Sequence, residues 1–149
     1  MIDKVLFSSD KMDWETPDDF FDEQHERHGF TLDVCASTDN TKCDKFIDAE
    51  TNALVVDWGK NVCWMNPPYG RALKTWMAKA LSESEKGATV VCLVPSRTDT
   101  KWWHDYAMKG DITFIKGRLK FVGAKSCAPF PSAVVVFRPP SLLSKVFGL

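Results

Sequence analysis

The chain has 149 residues, 44% of them hydrophobic and 26% charged, enough to build one core and too apolar for disorder. A formal net charge of −1 gives no overall attraction for a polyanion, so any such contact must rest on a local cluster. No apolar run approaches the roughly 20 residues that a membrane span needs, and MIDKVLFSSDKMDW lacks the basic-then-apolar pattern of a secretory leader. A cytoplasmic protein is therefore expected. The cysteines (Cys35, Cys43, Cys63, Cys92 and Cys127) form no C-x-x-C pair, and His25, His28 and His104 show no ligand spacing, so no metal is expected.

No repeat, linker or low-complexity tract divides residues 1–149, so one domain is predicted, with 1–13 as a flexible arm. Thr16-Pro17-Asp18-Asp19 reads as a helix start, with Thr16 as cap, Pro17 at the first helical position and acids in the first turn. That helix turns Phe20 and Phe21 inward and stops near Gly29. Residues 30–34 form a short strand pattern ending in Cys35-Ala36-Ser37, and a second apolar run, Phe46-Ile47, precedes Asp48 and Glu50. Residues 54–56 are apolar and end at Asp57. Residues 62–65 make a buried-strand run halted by Asn66-Pro67-Pro68, because two prolines cannot continue a ladder.

Leu73, Trp76, Met77, Ala80 and Leu81 fall on one face of a helix over 71–86. Residues 89–94 are a fully apolar strand ending at Pro95, and a further helix carries Trp102, Trp103 and Tyr106 to about Gly110. Three more strand-like runs follow at 112–115, 119–122 and 133–137. The order predicts an α/β fold, a mostly parallel sheet with an antiparallel edge strand. Ligands bind beyond the carboxyl ends of strands in such sheets, and Asp33, Glu50, Asp57, Asn66 and Pro95 all follow apolar runs.

Asn66-Pro67-Pro68-Tyr69-Gly70 is the sharpest chemical signal. The amino nitrogen of a planar base is a poor nucleophile because its lone pair is delocalised into the ring. Two acceptors, the Asn66 side-chain oxygen and the Pro67 carbonyl, can hold both amino hydrogens, draw the nitrogen toward tetrahedral geometry and free the lone pair. The prolines keep those acceptors preorganised, and one such contact is worth roughly 100- to 1000-fold in rate. Tyr69 then stacks on an extruded base, worth about 1–3 kcal/mol. Asn66 is neutral, so it orients the amine and does not deprotonate it. The plainer alternative is a tight turn after a buried strand, since Asn-Pro and Pro-Pro are common in loops.

With Trp14-Glu15-Thr16-Pro17, residues 32–37, Asn40 with Lys42-Cys43, residues 64–70, 95–100, 117–121 and 129–132 taken in order and spacing, the chain resembles the phage-type DNA adenine methyltransferases over about residues 14–138. The resemblance implies a Rossmann-like class I methyltransferase fold and S-adenosylmethionine as cofactor. It implies catalysis by Asn66, Pro67, Pro68 and Tyr69. It also implies that Trp14, Thr16 and Pro17 lie at the cofactor, with the helix start receiving the methionine carboxylate. Asp33 is expected to accept from the cofactor ammonium, Glu50 from a ribose hydroxyl and Asp57 from the cofactor adenine. Cys35-Ala36-Ser37 stands where many methyltransferases have a glycine-rich turn; S-adenosylmethionine carries no phosphate, so small residues suffice there.

Residues 109–125 hold Lys109, Lys116, Arg118, Lys120 and Lys125 against Asp111 alone. Together with Arg97 and Lys101 they are the candidate face for DNA phosphates, the alternative being an ordinary solvated surface. Only 28 residues lie between Ser37 and Asn66, so no separate target-recognition domain fits there. Specificity then comes from short loops or a homodimer, if it exists. Two alternatives stay open: a methyltransferase for a cytosine amino group or a protein glutamine amide, and a catalytically silent nucleic-acid-binding or anti-restriction module. The resemblance also implies a bacteriophage or prophage source, an enzyme marking DNA against restriction, and action in the bacterial host cytoplasm.

Overall fold

The structure is a computed structural model that describes residues 14–36, 39–141 and 146–148. The expected arm at 1–13 and the cofactor contact at Ser37 fall outside these residues.

Helix α1 spans Asp18–His28. Pro17, not Thr16, takes the N-cap position, and no side chain caps the helix. Asp18 and Asp19 in the first turn and His25, Arg27 and His28 in the last complement the helix dipole. Gly29 ends it in the left-handed region (φ 69°), its N–H donating to the His25 carbonyl at 2.7 Å. The helix lays Phe21 against Phe30 and edge-on to Trp64, while Phe20 is only half-buried.

Strand β1 (Leu32–Asp33) pairs in parallel with β2 (Val62–Met65), and β2 pairs in parallel with β3 (Thr89–Pro95). On the other side of β1, Phe46 makes a single parallel bridge to Asp33. The apolar run at 54–56 is no strand. Asn52, at φ 63°, accepts from the Leu54 N–H and tightens Ala53–Val55 into a 3-10 turn. Helix α2 (Leu73–Glu85) buries Leu73, Met77 and Ala80 against β3 and β5, as the periodicity requires. Each of the two larger side chains contributes about 1.5–3 kcal/mol. Helix α3 (Lys101–Asp105) is capped by Thr100, whose hydroxyl accepts from Trp103 N–H, and gives way to a 3-10 turn at Ala107–Lys109.

Strands β4 (Asp111–Phe114) and β5 (Ser132–Phe137) complete a five-stranded sheet of order β1-β2-β3-β5-β4. The antiparallel part is wider than one edge strand. β5 runs against β3 inside the sheet, and β4 pairs antiparallel with β5 at the edge. The predicted run at 119–122 is loop. Phe121 is buried as an anchor, and a tight turn closed by Ala124 N–H to the Phe121 carbonyl places Gly123 at φ 82°, ending any ladder.

Three consequences position the site. β1, β2, β3 and β4 all point their carboxyl ends to one edge of the sheet. The loop joining β4 to β5 leaves and returns at that same edge. The Val122 N–H within it donates to the Glu15 carbonyl at 3.0 Å, tying the loop to the segment that leads into α1. No helix among the described residues is long and apolar enough to cross a membrane.

Candidate active site

A cleft of about 640 Å³ opens where β1 and β2 end. Its walls are residues 14–16, the turn after Asp33, residues 47–49, Asn52 and Ala53, the loop at 66–68, Trp76 of α2 and Val122. Of the residues singled out in the sequence, Trp14, Thr16, Asp33, Cys35, Ala36, Asn66, Pro67 and Pro68 meet there.

Asn66 follows the last residue of β2, where Pro67 forbids further pairing. Its side-chain Nδ2 donates to the Trp14 carbonyl and, at 2.9 Å, to Thr16 Oγ1. A backbone carbonyl can only accept, so the amide atom facing Trp14 has to be the nitrogen. The orientation of the amide is thereby fixed, and Oδ1 is left buried with no hydrogen-bond partner. Native interiors leave few such atoms unmet. Asn66 lines the cleft, and an unspent, preoriented acceptor on such a residue is suited to a ligand N–H.

Asp33 is 3% exposed. Oδ1 accepts from Cys35 N–H at 3.1 Å and Oδ2 from Lys42 N–H at 3.0 Å, so the carboxylate organises the turn that stands in place of glycines. Burial raises its pKa above the ordinary carboxylate range, and the two backbone donors with the Lys42 charge only partly offset that. A buried acid held in this way gains from a cationic ligand. The Lys42 ammonium itself bridges Glu15 (3.6 Å) and Asp18 (2.8 Å), fastening the far side of the cleft to the start of α1.

Several expected residues lie elsewhere. Glu50 is exposed and Asp57 pairs with Lys86 at 2.8 Å on the surface; neither lines the cleft. The reason is the single-bridge edge at Phe46. The extended segment ends at Ile47, so the acid that reaches the cleft is Asp48, two residues before Glu50. Asp48 accepts from the Thr51 N–H at 2.9 Å, which holds its carboxyl below the usual range. Pro17 does not line the cleft; it occupies the N-cap of α1. Tyr69 is 2% exposed, its hydroxyl donating to the Leu93 carbonyl at 3.2 Å and its ring held edge-on by Phe121 and Phe130. Burial pushes its phenol far up, and in this conformation the ring offers no face to the cleft.

Lys42, Asp48, Trp76 and Val122 are cleft residues to which the sequence assigned no role there. Asp48 carried a signal in directly following an apolar run, and Lys42 in belonging to one of the pieces that carry the resemblance. Arg97, Lys116, Arg118, Lys120 and Lys125 are all exposed, and among the described residues no ion pair engages them. Lys101 is exposed too but pairs with Asp105 at 2.7 Å. Lys116, Arg118, Lys120 and Lys125 ride on the loop whose Val122 borders the cleft.

Comparison with known proteins agrees with this chemistry. Residues 5–139 match the model of the family described as DNA N-6-adenine-methyltransferase (Dam). The chain is 36% identical over 142 residues to the DNA N-6-adenine-methyltransferase of Haemophilus phage HP1 (strain HP1c1), which covers 88% of this chain and 81% of that protein. It is 31% identical over 129 residues to the DNA N-6-adenine-methyltransferase of Escherichia phage T1, covering 70% of this chain and 54% of that one.

Proposed function

The chain belongs to the DNA N-6-adenine-methyltransferase (Dam) family, and from that premise we propose that it transfers a methyl group from S-adenosylmethionine to the 6-amino group of adenine in DNA. The observation that carries the proposal is the unspent Oδ1 of Asn66, buried at the cleft with its amide orientation fixed. In the reaction, Oδ1 accepts one amino hydrogen and the Pro67 carbonyl accepts the other. The nitrogen moves toward tetrahedral geometry, and its lone pair becomes available for attack. S-adenosylmethionine, when bound, supplies an electrophilic sulfonium methyl. Asn66 takes no proton; the ammonium product loses one to solvent after transfer.

The cofactor is assigned to the same cleft. Asp33 suits its ammonium, Asp48 takes over the ribose role first expected of Glu50, and Cys35 and Ala36 form the small-residue turn between them. Thr16 retains a hydroxyl hydrogen to donate toward a carboxylate even while it accepts from Asn66, because a hydroxyl does both. Cofactor affinity is expected to fall as pH drops into the raised pKa of Asp33, because protonation removes the charge that the ammonium meets. Calorimetric titrations with S-adenosylmethionine from pH 7 downward check this. The Asp33→Asn variant binds weakly at every pH, and a wild-type profile as flat as the variant's contradicts the assignment.

A class I methyltransferase architecture and a single catalytic domain are part of the same reading. Support comes from the chain order: Phe46 bridges one side of β1 while β2 lies on the other, and the cleft opens at that switch point. β5 inserted antiparallel between β3 and β4 is consistent with it. DNA is read through the basic loop. Arg118→Ala and Lys120→Ala are each expected to weaken binding alike for all sequences and to reduce the salt slope by about 0.9 for each phosphate no longer neutralised. Fluorescence anisotropy over a salt series measures it; unchanged slopes in both variants retire that face. The phage origin of both relatives favours a marking role against restriction, carried out in the host cytoplasm.

Incubation with methyl-labelled S-adenosylmethionine and either unmethylated DNA or a glutamine-rich polypeptide tests the substrate class. Label is expected in DNA alone. Label in the polypeptide overturns the proposal.

A further inference from the structure

We infer that Thr16 is a positioning residue for catalysis, holding the Asn66 side chain so that Oδ1 stays aimed at the substrate amine. The inference rests on the role proposed above for Asn66. Thr16 looks like a helix cap in the sequence, yet α1 has no side-chain cap and takes Pro17 at the N-cap position. Thr16 is 2% exposed, and among the described residues its hydroxyl is engaged by Asn66 Nδ2 at 2.9 Å, across 50 residues of chain. A buried hydroxyl withdrawn from capping and spent on the Asn66 amide at the cleft has a job outside helix stability.

The geometry divides the work between two acceptors. The Trp14 carbonyl sets the sense of the amide, nitrogen toward itself and oxygen away, because it cannot donate. One acceptor leaves the side chain free to swing about its χ angles. A second, Thr16 Oγ1, meets the other Nδ2 hydrogen and locks the plane. With both hydrogens held, Oδ1 is neither spent nor mobile, which is the preorganisation that electrostatic catalysis requires. Loss of the hydroxyl leaves an Nδ2 hydrogen facing a methyl group, and the amide turns to find another acceptor.

The test compares Thr16→Val, which keeps shape and loses the hydroxyl, with Thr16→Ser, which keeps the hydroxyl. At saturating cofactor and DNA, Thr16→Val is expected to lower kcat by about 10- to 100-fold, the factor an unmet buried hydrogen bond corresponds to. Thr16→Ser recovers most of the rate. Placed in an Asn66→Ala background, Thr16→Val is expected to cause no further loss, since residues acting as one unit are non-additive. An equal loss in both backgrounds, or a loss confined to the KM for S-adenosylmethionine, overturns the inference in favour of direct cofactor binding.

A second measurement does not depend on turnover. The Asn66 side-chain amide cross-peak, identified by its absence in Asn66→Ala, is followed by nuclear magnetic resonance. Thr16→Val is expected to shift one of its two proton resonances and Thr16→Ser to leave both near the wild-type positions. Unchanged resonances in Thr16→Val sink the inference even if the enzyme methylates DNA. A wild-type protein that transfers no methyl group sinks the activity reading and leaves the amide measurement to decide the positioning.

Discussion

Replacement of Asn66 by alanine is expected to lower methyl transfer to DNA by about 100- to 1000-fold while cofactor binding and fold persist. The rate loss follows from Oδ1, an acceptor the folded chain leaves unmet at the cleft and orients before any ligand arrives. Alanine removes it, and the Pro67 carbonyl alone cannot hold both amino hydrogens. The structural cost is small by comparison. The bonds that disappear are those from Nδ2 to the Trp14 carbonyl and to Thr16, about 1–3 kcal/mol in all. The loop keeps its shape through Pro67 and Pro68, and Tyr69 stays anchored on the Leu93 carbonyl. Single-turnover kinetics beside a thermal melt separate the two effects. A melt collapsing in step with the rate would instead make Asn66 a structural residue.

The largest stability effect is expected at Glu83, far from this chemistry. Its side chain is 1% exposed at the end of α2 and gathers three partners. Oε1 accepts from Trp58 N–H at 2.7 Å, and Oε2 meets Lys79 at 2.9 Å and Lys86 at 2.8 Å. The carboxylate thus ties the last turn of the helix to the loop that precedes β2, where the Lys79 ammonium also lies 5.7 Å from the Trp58 ring centre. Glu83→Ala strands the buried Trp58 N–H and leaves the mostly buried Lys79 ammonium without its partner, while Lys86 keeps Asp57, a loss of roughly 3 kcal/mol. For a domain of this size that lowers Tm on the order of 10 °C.

The pH dependence of that effect has a definite sign. Burial raises the Glu83 pKa, but Lys86, the Trp58 N–H and Lys79 outweigh it, so the folded value lies below the unfolded one. A depressed carboxyl contributes its full stability above the unfolded value and loses it as pH falls through the folded value. The gap in Tm between wild type and Glu83→Ala is therefore expected to be constant near neutrality and to shrink in acid. A gap independent of pH down to denaturation contradicts the ionic part of this explanation.

Much of the fold was legible because apolar runs and their terminators are local. Residues 89–94 read as a buried strand and proved to be the centre of the sheet, and the Leu73–Met77–Ala80 face packed as its spacing demanded. Asp33 and Asn66 lie at the cleft because one ends and the other directly follows a run that is truly paired. Glu50 and Asp57 lie outside the cleft for the converse reason: the runs before them make one bridge and one 3-10 turn, so their ends do not reach it.

Tyr69 shows a different limit. An aromatic after two prolines suits stacking on a base, but a carbonyl at Leu93 within reach of its hydroxyl makes burial equally satisfying, and that carbonyl is 24 residues away. The bond from Asn66 to Thr16 has no periodic or capping signature at all. The basic loop was visible as composition, but its position beside the cleft depends on the Val122 bond to Glu15, a tertiary fact. Local pattern therefore located most of the elements, one acid (Asp33) and the Asn66 amide, while the connections that bring them together at the cleft are long-range.

Adenine methylation is tested most directly by the identity of the methylated product. Unmethylated DNA is incubated with the protein and methyl-labelled S-adenosylmethionine, digested to nucleosides and separated. Label is expected in 6-methyladenine. Label in a methylated cytosine, or none in DNA from a protein that binds the cofactor, contradicts the assignment of Asn66 to the adenine amine.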